Sequence, residues 1–231
     1  MMRMKVMVML LVGLAMAPAR ADLTTIDDFS GLVLWAGSGT NSAAFVLQFS
    51  GTQTPTSIAW GYRWSGTSTM QAMADAIAGT TSLVNGAPVP PGLDSRLTIA
   101  GTQYSFGVFL SAITYDQVGL PAGWSQATRQ IADTWFLDGT YPVLYTKADA
   151  GGAWLGDAET QTMAFTYSEV GASDIELTPG GWYGFVQSNG AATFPFAQPV
   201  AAVPEPSGAV LLGCGAAAAT ALARQRRRRQ A

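Results

Sequence analysis

The sequence predicts an α+β domain, mainly antiparallel β-sheet with one or two helices, set between two segments that stand outside the fold. Three observations predict it. Short runs of β-branched and aromatic residues recur between clusters of Gly, Pro, Asn and Asp, as strands recur between turns. Helical periodicity is best in a single stretch that also has a capping residue in front of it. The two ends of the chain are apolar with basic flanks, whereas the middle is acidic.

The first 21 residues read as a signal peptide. Arg3 and Lys5 supply a positive start, Val6 to Met16 is apolar, and Ala19-Arg20-Ala21 has the small-x-small pattern of a signal peptidase site. Cleavage after Ala21 would leave Asp22 as the mature N-terminus. In the domain, Leu32 to Trp35 and Ala43 to Phe49 are β-prone runs on either side of a turn cluster at Gly37 to Ser42, which predicts a hairpin. Ser57 to Trp64 follows as a strand with aromatic residues at alternate positions.

Thr69 to Ala78 is the strongest helix. Met70, Met73, Ala74 and Ile77 recur at i, i+3, i+4 and i+7, Ser68 or Thr69 is placed to cap, and Gly79 is placed to stop it. Asn85 to Gly92 is a Pro-rich rigid loop, then Arg96 to Ala100 and Tyr104 to Tyr115 are β-prone. Gln126 to Phe136 suits either a second helix or a strand from Thr134 onward. Tyr141 to Thr146, Thr162 to Tyr167, Asp174 to Leu177 and Trp182 to Gln187 read as further strands. The expected exported domain is thus 22–188, with 189–202 a Pro/Ala-rich linker.

The last 29 residues have a composition of their own. Val203-Pro204-Glu205-Pro206-Ser207 is followed by an uncharged run to Ala223 and then by Arg224, Arg226, Arg227, Arg228 and Arg229. Pro204 and Pro206 each fix φ and keep their neighbours out of the α region, so the motif reads as an extended, protease-accessible spacer. Residues 207–223 would span about 25 Å as a helix at ~1.5 Å per residue, the short end of a membrane span. The strongly hydrated arginines of 224–231 would remain cytoplasmic.

Motif, span and Arg cluster together resemble the PEP-CTERM sorting signal of Gram-negative bacterial surface proteins. The resemblance covers residues 203–231 alone. It implies processing by an exosortase, a transient inner-membrane anchor, and a final place at the cell surface, outer membrane or extracellular matrix, with exopolysaccharide and biofilm as the setting. Residues 61–187 are also similar, through short motifs such as Pro179 to Gly184, to transcobalamin-type C-terminal domains, which would imply small-ligand binding.

Composition restricts the chemistry. Histidine is absent and Cys214, the single cysteine, lies in the tail, so the domain has no disulfide and lacks His- or Cys-based nucleophile activation and zinc ligation. Between Asp22 and Ala202 the basic residues are Arg63, Arg96, Arg129 and Lys147 against fourteen acidic ones, a balance that argues against nucleic acid. Two carboxylate pairs, Asp157 with Glu159 and Asp174 with Glu176, have the spacing of one strand face and offer the one catalytic option, glycoside hydrolysis. Asp138, Asp149 and Asp157 are the oxygen ligands calcium would use, but no calcium-loop motif surrounds them. Trp60, Tyr62 and Trp64 alternate on one strand, suited either to a core or to stacking on sugar rings. The expected protein is a non-enzymatic, structural surface or matrix component without cofactor or metal. A glycan- or small-ligand-binding module is the first alternative and a carboxylate-pair glycoside hydrolase the second.

Overall fold

In a computed structural model, the structure describes residues 23–49, 54–84, 90–105, 107–118, 120, 123–132, 141–147, 166–168, 170–188 and 197–204. The expected signal peptide, Glu205 to Ser207 of the motif, the membrane segment and the basic tail lie outside them. Among the described residues, no helix is long and apolar enough to cross a membrane.

A 3-10 turn at Phe29–Gly31, capped by the Asp28 side chain, leads into β1 (Trp35–Gly37), β2 (Asn41–Gln48) and β3 (Ser57–Trp64). Helix α1 (Met70–Ile77) runs directly into β4 (Ala78–Val84), followed by β5 (Asp94–Tyr104), β6 (Gly107–Asp116) and β7 (Thr128–Ala132). Next come β8 (Tyr141–Lys147), β9 (Thr166–Tyr167), β10 (Trp182–Ser188) and β11 (Val200–Ala201). The fold is a β-rich α+β domain, as its turn-punctuated sequence predicts.

One sheet has the order β1-β3-β2-β10-β8-β9, with β11 also on β3; the other runs β4-β5-β6-β7. Both are mixed, which refines the antiparallel expectation. β1 and β11 lie parallel to β3, β10 is parallel to β2, and β4 is parallel to β5. The expected hairpin of Leu32–Trp35 with Ala43–Phe49 does not form. β3 stands between them, and β2 makes its antiparallel hairpin with β3, from Asn41↔Trp64 to Gln48↔Ser57. A three-residue strand is too short to hold β2 against an eight-residue partner of uninterrupted register.

Alternation splits β2 and β3 between two cores. Phe45, Leu47, Ile58, Trp60, Tyr62 and Trp64 enter the larger, with Met70, Met73 and Ile77 of α1 and Leu97, Ile113, Tyr115 and Ile131 of the second sheet. On the opposite face Ala44, Val46, Ala59 and Trp182 are covered by Ile26 and Leu32 of the N-terminal segment. Both faces of β2 are therefore covered, which is why it reads as a continuous apolar run.

Helix α1 begins where expected, with Thr69 Oγ1 accepting from the Ala72 N–H at 3.3 Å. Its stop differs. The chain turns extended at Ala78, and Gly79 lies within β4, where a Cβ would come within 2.2 Å of Ser95 Cα. Glycine serves there to let β5 pass close by rather than to end the helix. The alternative of a second helix at Gln126–Phe136 is corrected over Thr128–Ala132, which pair with β6 as strand β7 and bury Arg129 and Ile131 at period two. Asp174–Leu177 contribute one isolated bridge, Glu176 to Thr69, instead of a strand. The expected linker ends in structure: Val200 and Ala201 form β11, with Val200 4% exposed and Ala202 fully buried.

Candidate functional site at the root of the tail

The outer edge of β3 is completed by both ends of the domain. β1 covers Gly61 to Arg63, and β11 covers Ile58 and Ala59. The Ile26 N–H donates to the Pro199 carbonyl at 2.9 Å, and Thr25 bridges Val200. The segment that follows the expected signal cleavage site thus packs on the segment that precedes the Pro-Glu-Pro motif.

Beneath this edge lies a buried polar cluster centred on Asp94, which is 1% exposed. Asp94 and Arg96, two apart on β5, point to the same side. Arg96 donates to both carboxylate oxygens, Nε to Oδ1 at 2.8 Å and Nη2 to Oδ2 at 3.0 Å, a two-point ion pair. Trp60 Nε1–H donates to Oδ2 at 2.9 Å, and the Tyr115 hydroxyl reaches the same oxygen at 3.4 Å. The Arg96 guanidinium lies over the Tyr115 ring at 5.4 Å, and the ring of Tyr115 meets that of Trp60 edge-on. Buried charges persist only when paired and hydrogen-bonded, and this pair is both.

Arg96 Nη2 also donates to the carbonyl of Val203, the first residue of the motif. The Ala202 N–H donates to Ala59 O at 2.8 Å, and Val203 itself is half-buried against the core. Pro204 is exposed and lines a cavity of about 270 Å³ together with Leu34, Gly92, Asp94 and Arg96. On the other side of the strand, Ala201 and Val203 line a larger open groove with Thr25, Asp28 and Val33.

The rings considered for sugar stacking are not available. Trp60 is fully buried, Trp64 is 4% exposed and Tyr62 is 9% exposed, and Tyr62 and Trp64 stack on each other at 5.7 Å. Stacking on a ligand needs a free ring face, so of the two readings open to these residues their burial supports the core strand, not sugar stacking. Gly61, on the opposite face, lies under Trp35, whose ring also carries the Arg63 guanidinium at 4.5 Å. Asp174 and Glu176 are both exposed. Asp157, Glu159 and the calcium candidates Asp138 and Asp149 lie outside the described residues, as do Ala19 and Ala21. Among the described residues, no group of three or more His, Cys, Asp or Glu side chains is placed to hold a metal ion.

Elsewhere in the domain, burial shifts two ionisable groups. Arg129 is 4% exposed, donates to the Pro55 carbonyl and lies 4.6 Å from the Phe49 ring; burial lowers its pKa to about 10. Desolvation raises the Asp75 carboxyl above 3.8, opposed by the Thr81 hydroxyl. Sequence reasoning missed the Asp94–Arg96–Val203 cluster. Its one early signal was an Asp-x-Arg spacing on a strand in a domain with few cations.

Compared with protein-family models, curated proteins and solved structures, the chain matches none.

Proposed function

We propose that this is an exported bacterial surface or extracellular-matrix protein of PEP-CTERM type, non-enzymatic and structural, released by signal peptidase at one end and processed by an exosortase at the other. The observation that carries the reading is the order of parts in residues 203–229: a Pro-Glu-Pro spacer, a short uncharged span and five arginines. A span this short holds a protein in a bilayer only marginally, which suits an anchor that is later removed. The n-region, apolar run and Ala-x-Ala exit at the other end support the same route. The absence of histidine and of cysteine from the domain favours a structural role over nucleophilic catalysis. The test is intact mass measurement of the protein recovered from the surface of its host. A chain starting at Asp22 and lacking the arginine tail is expected. A chain still ending at Ala231 removes the sorting assignment.

A further inference from the structure

We infer that the folded domain sets the inner limit of its own tail processing: the Asp94–Arg96 pair clamps Val203, so the scissile bond lies C-terminal to Val203 and not within residues 197–203. The identity of the processing enzyme rests on the sorting function proposed above, whereas the position of the limit rests on the fold alone.

A peptidase needs its substrate extended and detached from neighbouring strands, so a docked segment is cut only through local opening. Residues 199–203 are held along their length. Pro199 O accepts from Ile26, Val200 pairs with Ile58, Ala201 pairs with Ala59, and the Ala202 N–H is bonded to Ala59 O. Val200 and Ala202 are buried, so opening this segment also exposes apolar surface. The last tie is the strongest in kind, because the donor to Val203 O is a guanidinium. Its aim is fixed by Asp94, which Trp60 and Tyr115 hold from the core. One residue further, Pro204 is exposed and has no N–H with which to continue a strand.

The clamp thus stands where the held backbone of residues 199–203 meets the exposed Pro204. Cleavage beyond it is hydrolysis: an amide C–N bond breaks, the hydroxyl of water goes to the acyl carbon to give a new C-terminal carboxylate, and the remaining proton leaves on the amine of the released tail. A cut before Ala202 would remove part of the sheet edge that covers β3, and a cut just before Val203 would release the Arg96 tie. A cut after Val203 leaves the domain whole.

The test is limited proteolysis of the full chain in detergent with a broad-specificity protease, reading fragment C-termini by intact mass. The expected core ends at Val203 or later. A wild-type core ending between residues 197 and 202 overturns the inference. In Arg96→Met, cutting before Val203 should accelerate about tenfold or more, since protection follows the population of the open segment; an unchanged rate overturns the clamp. Should that variant fail to fold, Asp94→Asn/Arg96→Met, which removes both charges, is read against the same criterion. The two proposals fail separately. A native end at Ala231 sinks the sorting route while the proteolytic boundary still tests the clamp, whereas a native end before Val203 sinks the clamp and leaves sorting intact.

Discussion

Replacing Asp94 with Asn keeps the shape of the side chain and removes its charge. Asp94 accepts two hydrogen bonds from the Arg96 side chain, one from Trp60 and one from Tyr115, and is 1% exposed. The Arg96 side chain is 9% exposed, so in the variant a nearly buried guanidinium loses its carboxylate. Breaking a buried pair by removing one partner typically costs about 3–5 kcal/mol. The Asn NH2 group must also face donors on at least one side, which adds to that cost rather than reducing it. For a domain of this length, 1 kcal/mol shifts Tm by roughly 2–4 °C, so Asp94→Asn should lower Tm by about 6–20 °C.

The assay is thermal melting followed by far-UV circular dichroism, completed as a double-mutant cycle with Arg96→Met. The double variant should recover much of the loss, because removing both charges leaves neither one stranded. A loss below about 1 kcal/mol in Asp94→Asn, with simple additivity in the double variant, would refute the reading of this pair as a buried and interdependent unit.

Other expectations follow from single positions. Gly61→Ala would bring a Cβ within 2.4 Å of the Trp35 ring, and overpacking of this kind should cost about 1–3 kcal/mol in chemical denaturation. Met73 is fully buried, so Met73→Ala should cost about 2–5 kcal/mol, and Thr69→Ala, which removes the N-cap acceptor, about 0.5–2 kcal/mol. Desolvation raises the Asp75 carboxyl, so its ionised form opposes folding; Asp75→Asn should raise Tm at neutral pH, and the gain should fade as pH falls through the raised value and vanish below 3.8. A gain that persists in acid would contradict that cause. The emission contributed by Trp60, Trp64, Trp124 and Trp182, all buried, should be blue-shifted and unmoved by matrix polysaccharides, read in variants that replace Trp35, Trp135 and Trp154 with Phe. A saturable change on titration would instead indicate glycan binding.

Much of the local structure was legible because it rests on short-range chemistry. The Met70, Met73, Ala74, Ile77 stripe and the Thr69 cap mark α1 to within a residue at each end. The alternating rings of Ser57 to Trp64 mark β3, and the apolar run at Ala43 marks β2 as a strand, though not its partner. What the residues do not reveal is long-range. β4 opens with Ala-Gly-Thr-Thr-Ser, whose small and polar side chains carry no apolar alternation, and it is a strand because β5 lies beside it. β11 is two residues in a Pro/Ala-rich stretch, and β3 turns it into a strand by offering an unpaired edge. The order β1-β3-β2 depends on which strand wins that edge, a competition that local pattern does not encode.

The same division holds for the site. Val203, Pro204, Glu205, Pro206 and Ser207 stand out in sequence because two prolines and a following apolar span have local meaning. Asp94 and Arg96 do not, since a carboxylate and a cation two apart suit any solvated strand. They become a site only when Trp60 and Tyr115 close over the carboxylate and Val203, 107 residues from Arg96, comes to lie within its reach. The aromatic residues are ambiguous for the converse reason. Alternation places three rings on one face, but burial by α1 and the second sheet decides what that face does.

The account depends most directly on where the mature chain begins and ends. Top-down mass spectrometry of the protein released from the host surface reads both termini in one spectrum. An N-terminus at Asp22, with a C-terminus after Val203 and before the arginine cluster, is the predicted result. A cytosolic protein that retains both Met1 and Ala231 would contradict it.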